Sequence, residues 1–296
     1  MEWKKGARTD LAVEALELGQ GAEPMVSLFG VRHRELKRCG IPINEVEILD
    51  DTAAQQLGKP VGHYLTLTLG ELPRRTGDTF ERAVQAVTET LMGLLPVGDT
   101  LPALVIGLGN RDITPDAIGP IAMDHTLATR HLVGQASEYF SQWRPVAAVR
   151  TGVVGSTGVE SAELIRALTR EIKPAFVIAV DALAARSAAR LGKTIQIADT
   201  GIIPGSGVGN ARAALNQETL GVPVIAMGVP TVVDAGTLVS ELAGQEVTGQ
   251  ETLEQMMVTP REIDSLAADL GRVVGYAISL ALQKGLALAD LELLLS

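Results

Sequence analysis

The chain has one cysteine, Cys39. An intramolecular disulfide is therefore impossible, and a cysteine-rich zinc site is excluded. Aromatic residues are only 3% of the 296, so the core must be built from Val, Ile, Leu and Ala. Histidines are few as well: His33, His63, His125 and His131. The two that could share a helix, His125 and His131, are not spaced to lie on one face. Basic residues are outnumbered, 25 against 35 acids, for a net charge of −10 and a pI of about 5.0. That balance argues against direct nucleic-acid binding, which needs clustered positive charge. It does not argue against a substrate that itself binds nucleic acid. The first ten residues, MEWKKGARTD, lack the apolar region of a secretory signal. No apolar run reads as long enough to cross a bilayer. The simplest expectation is a cytoplasmic protein with no membrane partner. Internal repeats and low-complexity linkers are also missing.

What is present is an ordinary globular composition, 46% hydrophobic and 20% charged. We read residues 1–296 as one domain. The segments 46–49 and 63–69 look like strands, the second with the period-two alternation of a half-buried strand. Residues 8–15 suit a short strand or helix, and 80–95 has helical spacing. The basic stretch 32–38, RHRELKR, reads as a solvated helix face. From residue 101 onward strands and helices alternate: strand 103–108, helix from about 116 to 131, strand 146–149, helix 158–172, strand 175–180, strand 194–198 and strand 222–229. Unbroken apolar strands such as 175–180 mark a parallel sheet covered on both faces. The expected fold is α/β, in three layers, with a mostly parallel sheet and helices on both faces. A polar surface excursion at about 240–258 precedes Thr259-Pro260-Arg261-Glu262, which carries N-cap and capping-box signals for a long last helix.

The stretch 107–120, GLGNRDITPDAIGP, changes character abruptly after the apolar strand before it. Thr114 reads as an N-cap, Pro115 as the first helical residue and Asp116 as a first-turn acid. A second acid, Asp181, ends the apolar run 175–180. If the two strands are parallel neighbours, both acids reach the same edge of the sheet, where ligands gather in α/β folds. Two close carboxylates do not both ionise readily, so one keeps a proton while the other serves as base toward water. The helix dipole favours Asp116 as the anion, and apolar surroundings favour a raised pKa at Asp181. Either acid alone is as well explained by a turn or a cap; the pairing points to chemistry.

Other patterns are weaker. Gly107 and Gly109 begin a dinucleotide-like fingerprint, but Asp112 stands where the third glycine belongs and would oppose a pyrophosphate. No cofactor is expected. The triplet Asp199-Thr200-Gly201 resembles the loop of pepsin-like proteases, which need two such loops; this chain has one. Its better roles are a turn and a wall of the site. The glycine-rich run with Gly205, Ser206 and Gly207 suits an anion nest or a docking loop for substrate backbone, or else a plain surface loop. Ser156 and Ser206 lack the glycine that a nucleophile elbow needs. A metal held by both acids and a histidine is an alternative.

Taken together, these segments resemble the germination endopeptidases of spore-forming bacteria, the spore proteases. The resemblance is carried by 8–15 (RTDLAVEA), 107–120, 179–186 (AVDALAAR), 199–210 (DTGIIPGSGVGN), 228–235 (GVPTVVDA) and 257–264 (MVTPREID), in order along nearly the whole chain. It implies an atypical aspartic-type endopeptidase that degrades small acid-soluble spore proteins during germination. It also implies a core like that of the hydrogenase maturation endopeptidases. The family motifs place the catalytic aspartates at Asp116 and Asp181, and Asn110, Asp199, Gly205, Ser206 and Gly207 are expected to bind substrate or wall the site. The resemblance further implies a homotetramer in the forespore or spore core, made as a zymogen, with a short pro-segment within about residues 1–7. The same acids in a metal-dependent endopeptidase, or a non-catalytic binding protein of this fold, are the other readings.

Overall fold

At the centre of the computed structural model lie the strands whose sequences are unbroken apolar runs. Residues 9–20, 28–70, 78–98, 100–209, 211–245, 253 and 255–295 are described. In chain order the strands are β1 (Val31–Arg38), β2 (Ile41–Ile48), β3 (Gly62–Thr68), β4 (Ala103–Leu108), β5 (Val146–Gly152), β6 (Phe176–Ala185), β7 (Thr194–Ala198), β8 (Val224–Asp234) and β9 (Met257–Val258). The helices are α1 (Ala12–Gln20), α2 (Asp51–Leu57), α3 (Thr79–Met92), α4 (Ile118–Asp124), α5 (Arg130–Gln135), α6 (Ser137–Phe140), α7 (Val154–Thr157), α8 (Ser161–Ile172), α9 (Gln217–Leu220), α10 (Ala235–Ala243), α11 (Ile263–Leu282) and α12 (Leu288–Leu294).

One sheet runs in the order β1-β2-β3-β7-β8-β6-β4-β5, with β9 paired to β8. The pairs β8–β6, β6–β4 and β4–β5 are parallel. The pairs β1–β2, β2–β3, β3–β7, β7–β8 and β8–β9 are antiparallel. The α/β class therefore stands, but parallel pairing is confined to the four-stranded half that holds the apolar runs. The expected predominance of parallel pairs does not extend to the β1–β3 and β7 side.

Alternation along the central strands sorts side chains between two cores. Val105 of β4, with Ile178 and Val180 of β6, packs with Val84 and Val87 of α3, Ile118 of α4 and Val274 and Ile278 of α11. The intervening Leu104, Ile106, Val177 and Ala179 pack with Ala162 and Ile165 of α8. Helices thus cover both faces, as expected of a three-layer fold. α1 and α2 add a satellite core against β2 and β3, through Leu16, Val46, Ala53 and Tyr64.

Several local expectations change. The basic stretch RHRELKR is strand β1, not a helix face: Arg32 pairs with Glu47, and Arg34 with Glu45 at 2.9 Å, both across to β2. Helix α11 begins after Glu262 with no side-chain cap. Thr259 donates its hydroxyl to the Thr231 carbonyl at 2.8 Å instead of capping. By length and composition α11 could cross a membrane (mean hydropathy 1.3 in its most apolar window), contrary to the expectation that no run could; 67% of that window is buried inside the protein. The excursion expected at about 240–258 holds the end of α10 and β9; residues 246–252 and 254 lie outside the described part.

Candidate active site

Strand β4 stops pairing with β6 at Gly107, opposite Val180. The next residue of β6, Asp181, faces Gly228 of β8 on its other side. Asp181 therefore sits in the notch where β4 turns away, at the carboxyl end of the parallel half-sheet. It is 6% exposed.

Asp116 is brought to that notch by the loop that leaves β4. Thr114–Asp116 is a 3-10 turn and α4 begins only at Ile118. The preceding Ile113 makes no side-chain cap, so the expected Thr114 N-cap is replaced by an uncapped turn. The turn is held in two ways. Asn110 donates its backbone N–H to Asp116 Oδ2 at 2.7 Å. Thr231, buried on β8, donates its hydroxyl to the Pro115 carbonyl at 2.7 Å. Close packing of α4 completes the placement. A Cβ on Gly107 would come within 2.3 Å of the Gly119 carbonyl, and one on Gly119 within 2.2 Å of the Leu108 carbonyl and 2.6 Å of that of Val180. Only glycines let helix and sheet approach so closely. Gly109, at φ +101, is a third: its Cβ would lie 2.1 Å from the Asp116 carbonyl.

The two carboxyls influence one another. Asp181 is pushed well above the ordinary carboxylate range, first by burial and then by the charge of Asp116; its bond from the Ala182 N–H works the other way, and Asp10 adds to the rise. Asp116 is raised less: burial lifts it and the Asn110 N–H opposes. Burial and the neighbouring charge thus favour the protonated form of Asp181 more than burial alone favours that of Asp116. The donor that favours an ionised Asp116 is the Asn110 amide rather than the end of a helix.

The remaining expected wall residues divide. Asn110 is in the site, and its Oδ1 also accepts the Asp112 N–H at 3.0 Å. Ser206 and Gly207 belong to a 3-10 turn, Ser206–Val208, preceded by Gly205 at φ +73. This turn docks beside β6 through Asp10, whose Oδ1 accepts the Ser206 hydroxyl at 2.8 Å and whose Oδ2 accepts the Ala184 N–H at 2.9 Å. An anion nest is not formed by the amides of Ser206, Val208 and Gly209, because they donate within the turn to Ile203, Gly205 and Ser206. Asp199 is not brought to the pair. It follows Ala198, which pairs with Ala226, two residues before the Gly228 that faces Asp181. β7 runs antiparallel to β8, so Asp199 heads for the opposite edge, where its Oδ1 accepts the His63 N–H at 2.8 Å.

Asp10 and Thr231 escaped the reading of isolated residues, although both fall in segments that carry the family resemblance. Their partners lie 174 and 116 positions away, and no local pattern reports such a contact. The neighbouring Glu14, 1% exposed, accepts from the amides of Arg186 (2.6 Å) and Ser187 (3.0 Å) and pairs with Arg190 at 3.0 Å. The segment 9–14 is thereby fastened along the end of β6.

Metal ligation has a poor fit. His125 lies at the far end of α4 from Asp116, against the Tyr276 ring at 5.7 Å, and His131 is one helix further on, in α5. Among the described residues no group of three or more His, Cys, Asp or Glu side chains could hold a metal ion.

Comparison with known proteins decides the family. The model described as Germination protease matches residues 10–249. The chain belongs to the germination protease family. A germination protease from Clostridium tetani is 37% identical over 96% of this chain and 98% of its own length. One from Caldanaerobacter subterraneus subsp. tengcongensis is 40% identical over 98% of each. One from Bacillus cereus reaches 46% over 80% of this chain and 66% of its own. As a member of this family the protein is a protease of spore germination. Among solved structures, a [NiFe] hydrogenase maturation protease, HycI from Thermococcus kodakarensis, aligns over 62% of this chain and 98% of its own, at 17% identity and a TM-score of 0.33. A likeness of that size adds nothing to the family assignment.

Proposed function

We propose that this germination protease is an aspartic-type endopeptidase that opens the degradation of small acid-soluble spore proteins, with Asp116 as base and Asp181 as acid. One observation carries the reading: β4 leaves β6 at Gly107, opposite Val180, and the loop that follows holds Asp116 at the notch where Asp181 is buried. Two acids serving only as cap and turn residues would have no reason to share a notch at the carboxyl edge of the sheet.

In this mechanism Asp116, ionised, takes a proton from a water whose oxygen bonds to the peptide carbonyl carbon. Asp181 gives its proton to the carbonyl oxygen, so the tetrahedral adduct is neutral. On collapse the adduct returns that proton to Asp181, the C–N bond breaks, and Asp116 passes its proton to the departing nitrogen. The pair ends as it began. Cleavage through a metal is disfavoured because, among the described residues, no third ligand joins the two acids.

The test is cleavage of a small acid-soluble spore protein by wild type, Asp116→Asn and Asp181→Asn. Each variant should lose on the order of 10³-fold or more in kcat while keeping its fold, and wild-type activity should survive a strong chelator. Near-normal cleavage by either variant would remove the pair from the chemistry. A homotetrameric assembly, removal of an N-terminal pro-segment within about residues 1–7, and residence in the forespore or spore core belong to the same proposal; residues 1–8 lie outside the described part.

A further inference from the structure

Asp10 makes more structural contacts than a residue outside the active pair would need. Its backbone N–H donates to the Ala184 carbonyl at 2.9 Å, and its Oδ2 accepts from the Ala184 amide at 2.9 Å. It thus extends the sheet edge on β6 three residues beyond Asp181. Its Oδ1 takes the Ser206 hydroxyl. The contact is close enough that a Cβ on Gly207 would lie 2.0 Å from Oδ2 and 2.6 Å from the Ala184 side chain. From below, the Asp10 carbonyl is gripped by half-buried Lys59 (Nζ at 3.0 Å) and by Gln196 (Nε2 at 3.1 Å). One carboxylate therefore joins the N-terminal segment, the strand carrying Asp181 and the glycine-rich turn.

We propose that Asp10 is a positioning residue of the protease: it clamps the Ser206–Val208 turn onto β6 three residues beyond Asp181, making that turn a fixed wall of the substrate cleft. Its charge, in addition, favours the protonated form of Asp181. This rests on the reading of Asp181 as the acid. The charged groups acting at this point are Lys59 from the end of α2, Glu14 from α1, Asp181 on β6 and, through Asp181, Asp116 on the turn before α4. Arg190 is drawn to Glu14 and Glu17 rather than to Asp10.

The test compares Asp10→Asn, Asp10→Glu and Ser206→Ala with wild type in the full chain. It uses kcat and KM on a small acid-soluble spore protein across pH, and amide exchange at residues 203–209. Asp10→Asn should raise KM about tenfold and move the alkaline limb of kcat to lower pH, because a negative charge that favours protonated Asp181 is gone. Ser206→Ala removes the clamp and keeps the charge. Its KM should rise several-fold and its exchange at 203–209 should quicken, with the limb unmoved. Asp10→Glu should return the limb toward wild type. Exchange at 203–209 unchanged in both Asp10→Asn and Ser206→Ala would overturn the clamp. An unmoved limb in Asp10→Asn would overturn the electrostatic part. The exchange measurement does not depend on turnover, so it still judges the clamp if Asp181→Asn proves active and the acid assignment fails.

Discussion

The backbone N–H of Asn110 donates to Asp116 Oδ2 at 2.7 Å, closing the loop after β4 onto its own acid. Across the notch, the more deeply buried Asp181 accepts the amide of its neighbour Ala182 at 2.9 Å. Each carboxyl accepts one backbone amide, so the deeper burial of Asp181 and the charge of Asp116 are what raise it further.

The first prediction is a bell-shaped pH dependence of kcat/KM. The proposed mechanism needs Asp116 ionised and Asp181 protonated. Both carboxyls are raised, Asp181 by more, so the acid limb should lie above the ordinary carboxylate value of about 4 and the alkaline limb higher still. The limbs describe the pair as a unit. A profile that rises through acid pH and then stays flat into alkali would show that no protonated carboxyl is required.

The same burial has a consequence for stability. A carboxyl raised in the folded state favours folding most below its unfolded pKa, and that advantage is lost as pH rises through the folded pKa. At neutral pH the buried Asp181 is therefore a burden on the fold. Asp181→Asn keeps the shape and an acceptor for the Ala182 amide but removes the ionisation. It should raise the thermal midpoint by about 2 °C or more at pH 7, with the gap closing in acid, as calorimetry at two pH values would record. A lower midpoint for Asp181→Asn at neutral pH would mean that the charged form is welcome where it sits.

How much of this was legible in the sequence follows from what each element answers to. β4, β6 and β8 are buried on both faces, so their apolar runs mark them directly, and the acids at 116 and 181 could be named from the ends of the first two runs. β1 could not be read this way. It is a sheet edge whose residues 32–35 are all exposed, and its ion pairs with Glu45 and Glu47 exist only once β2 lies beside it. Thr114 carries the local signature of an N-cap, yet the chain makes a 3-10 turn there because Thr231, from a distant strand, holds the Pro115 carbonyl. Asp199 has the more conspicuous motif of the two candidate partners for Asp116. The antiparallel direction of β7 sends it to the wrong edge, and strand direction is a property of the sheet, not of a triplet.

Thr231 makes a further prediction. Thr231→Val keeps the volume and deletes the hydroxyl that tethers the Asp116 turn, leaving the Pro115 carbonyl short of a donor. The expected loss is about 1 kcal/mol of stability, a modest change for the fold. The larger effect should fall on kcat, with KM nearly unchanged, because the base is displaced and the docking surfaces are not. Steady-state kinetics beside urea unfolding separates the two. A variant with wild-type kcat would show that the turn holds its place without the tether.

The last prediction concerns the approach of α4 to the sheet. Gly119 has ordinary backbone angles, so what excludes a side chain is space: its Cβ would meet three backbone atoms of β4 and β6 at 2.2 to 2.6 Å. Backbone cannot yield as a side-chain tip can, so Gly119→Ala must push α4 off the sheet and carry the Asp116 turn with it. A loss of roughly 2–4 kcal/mol in urea unfolding is expected, together with a fall in kcat beyond that of Thr231→Val. Gly155→Ala is the matched control: its Cβ would meet nothing within 4 Å, and stability should stay within about 0.5 kcal/mol of wild type. Equal stability for the two alanine variants would mean that the helix can ride higher on the sheet at little expense, and the close approach would then have no bearing on where Asp116 meets Asp181.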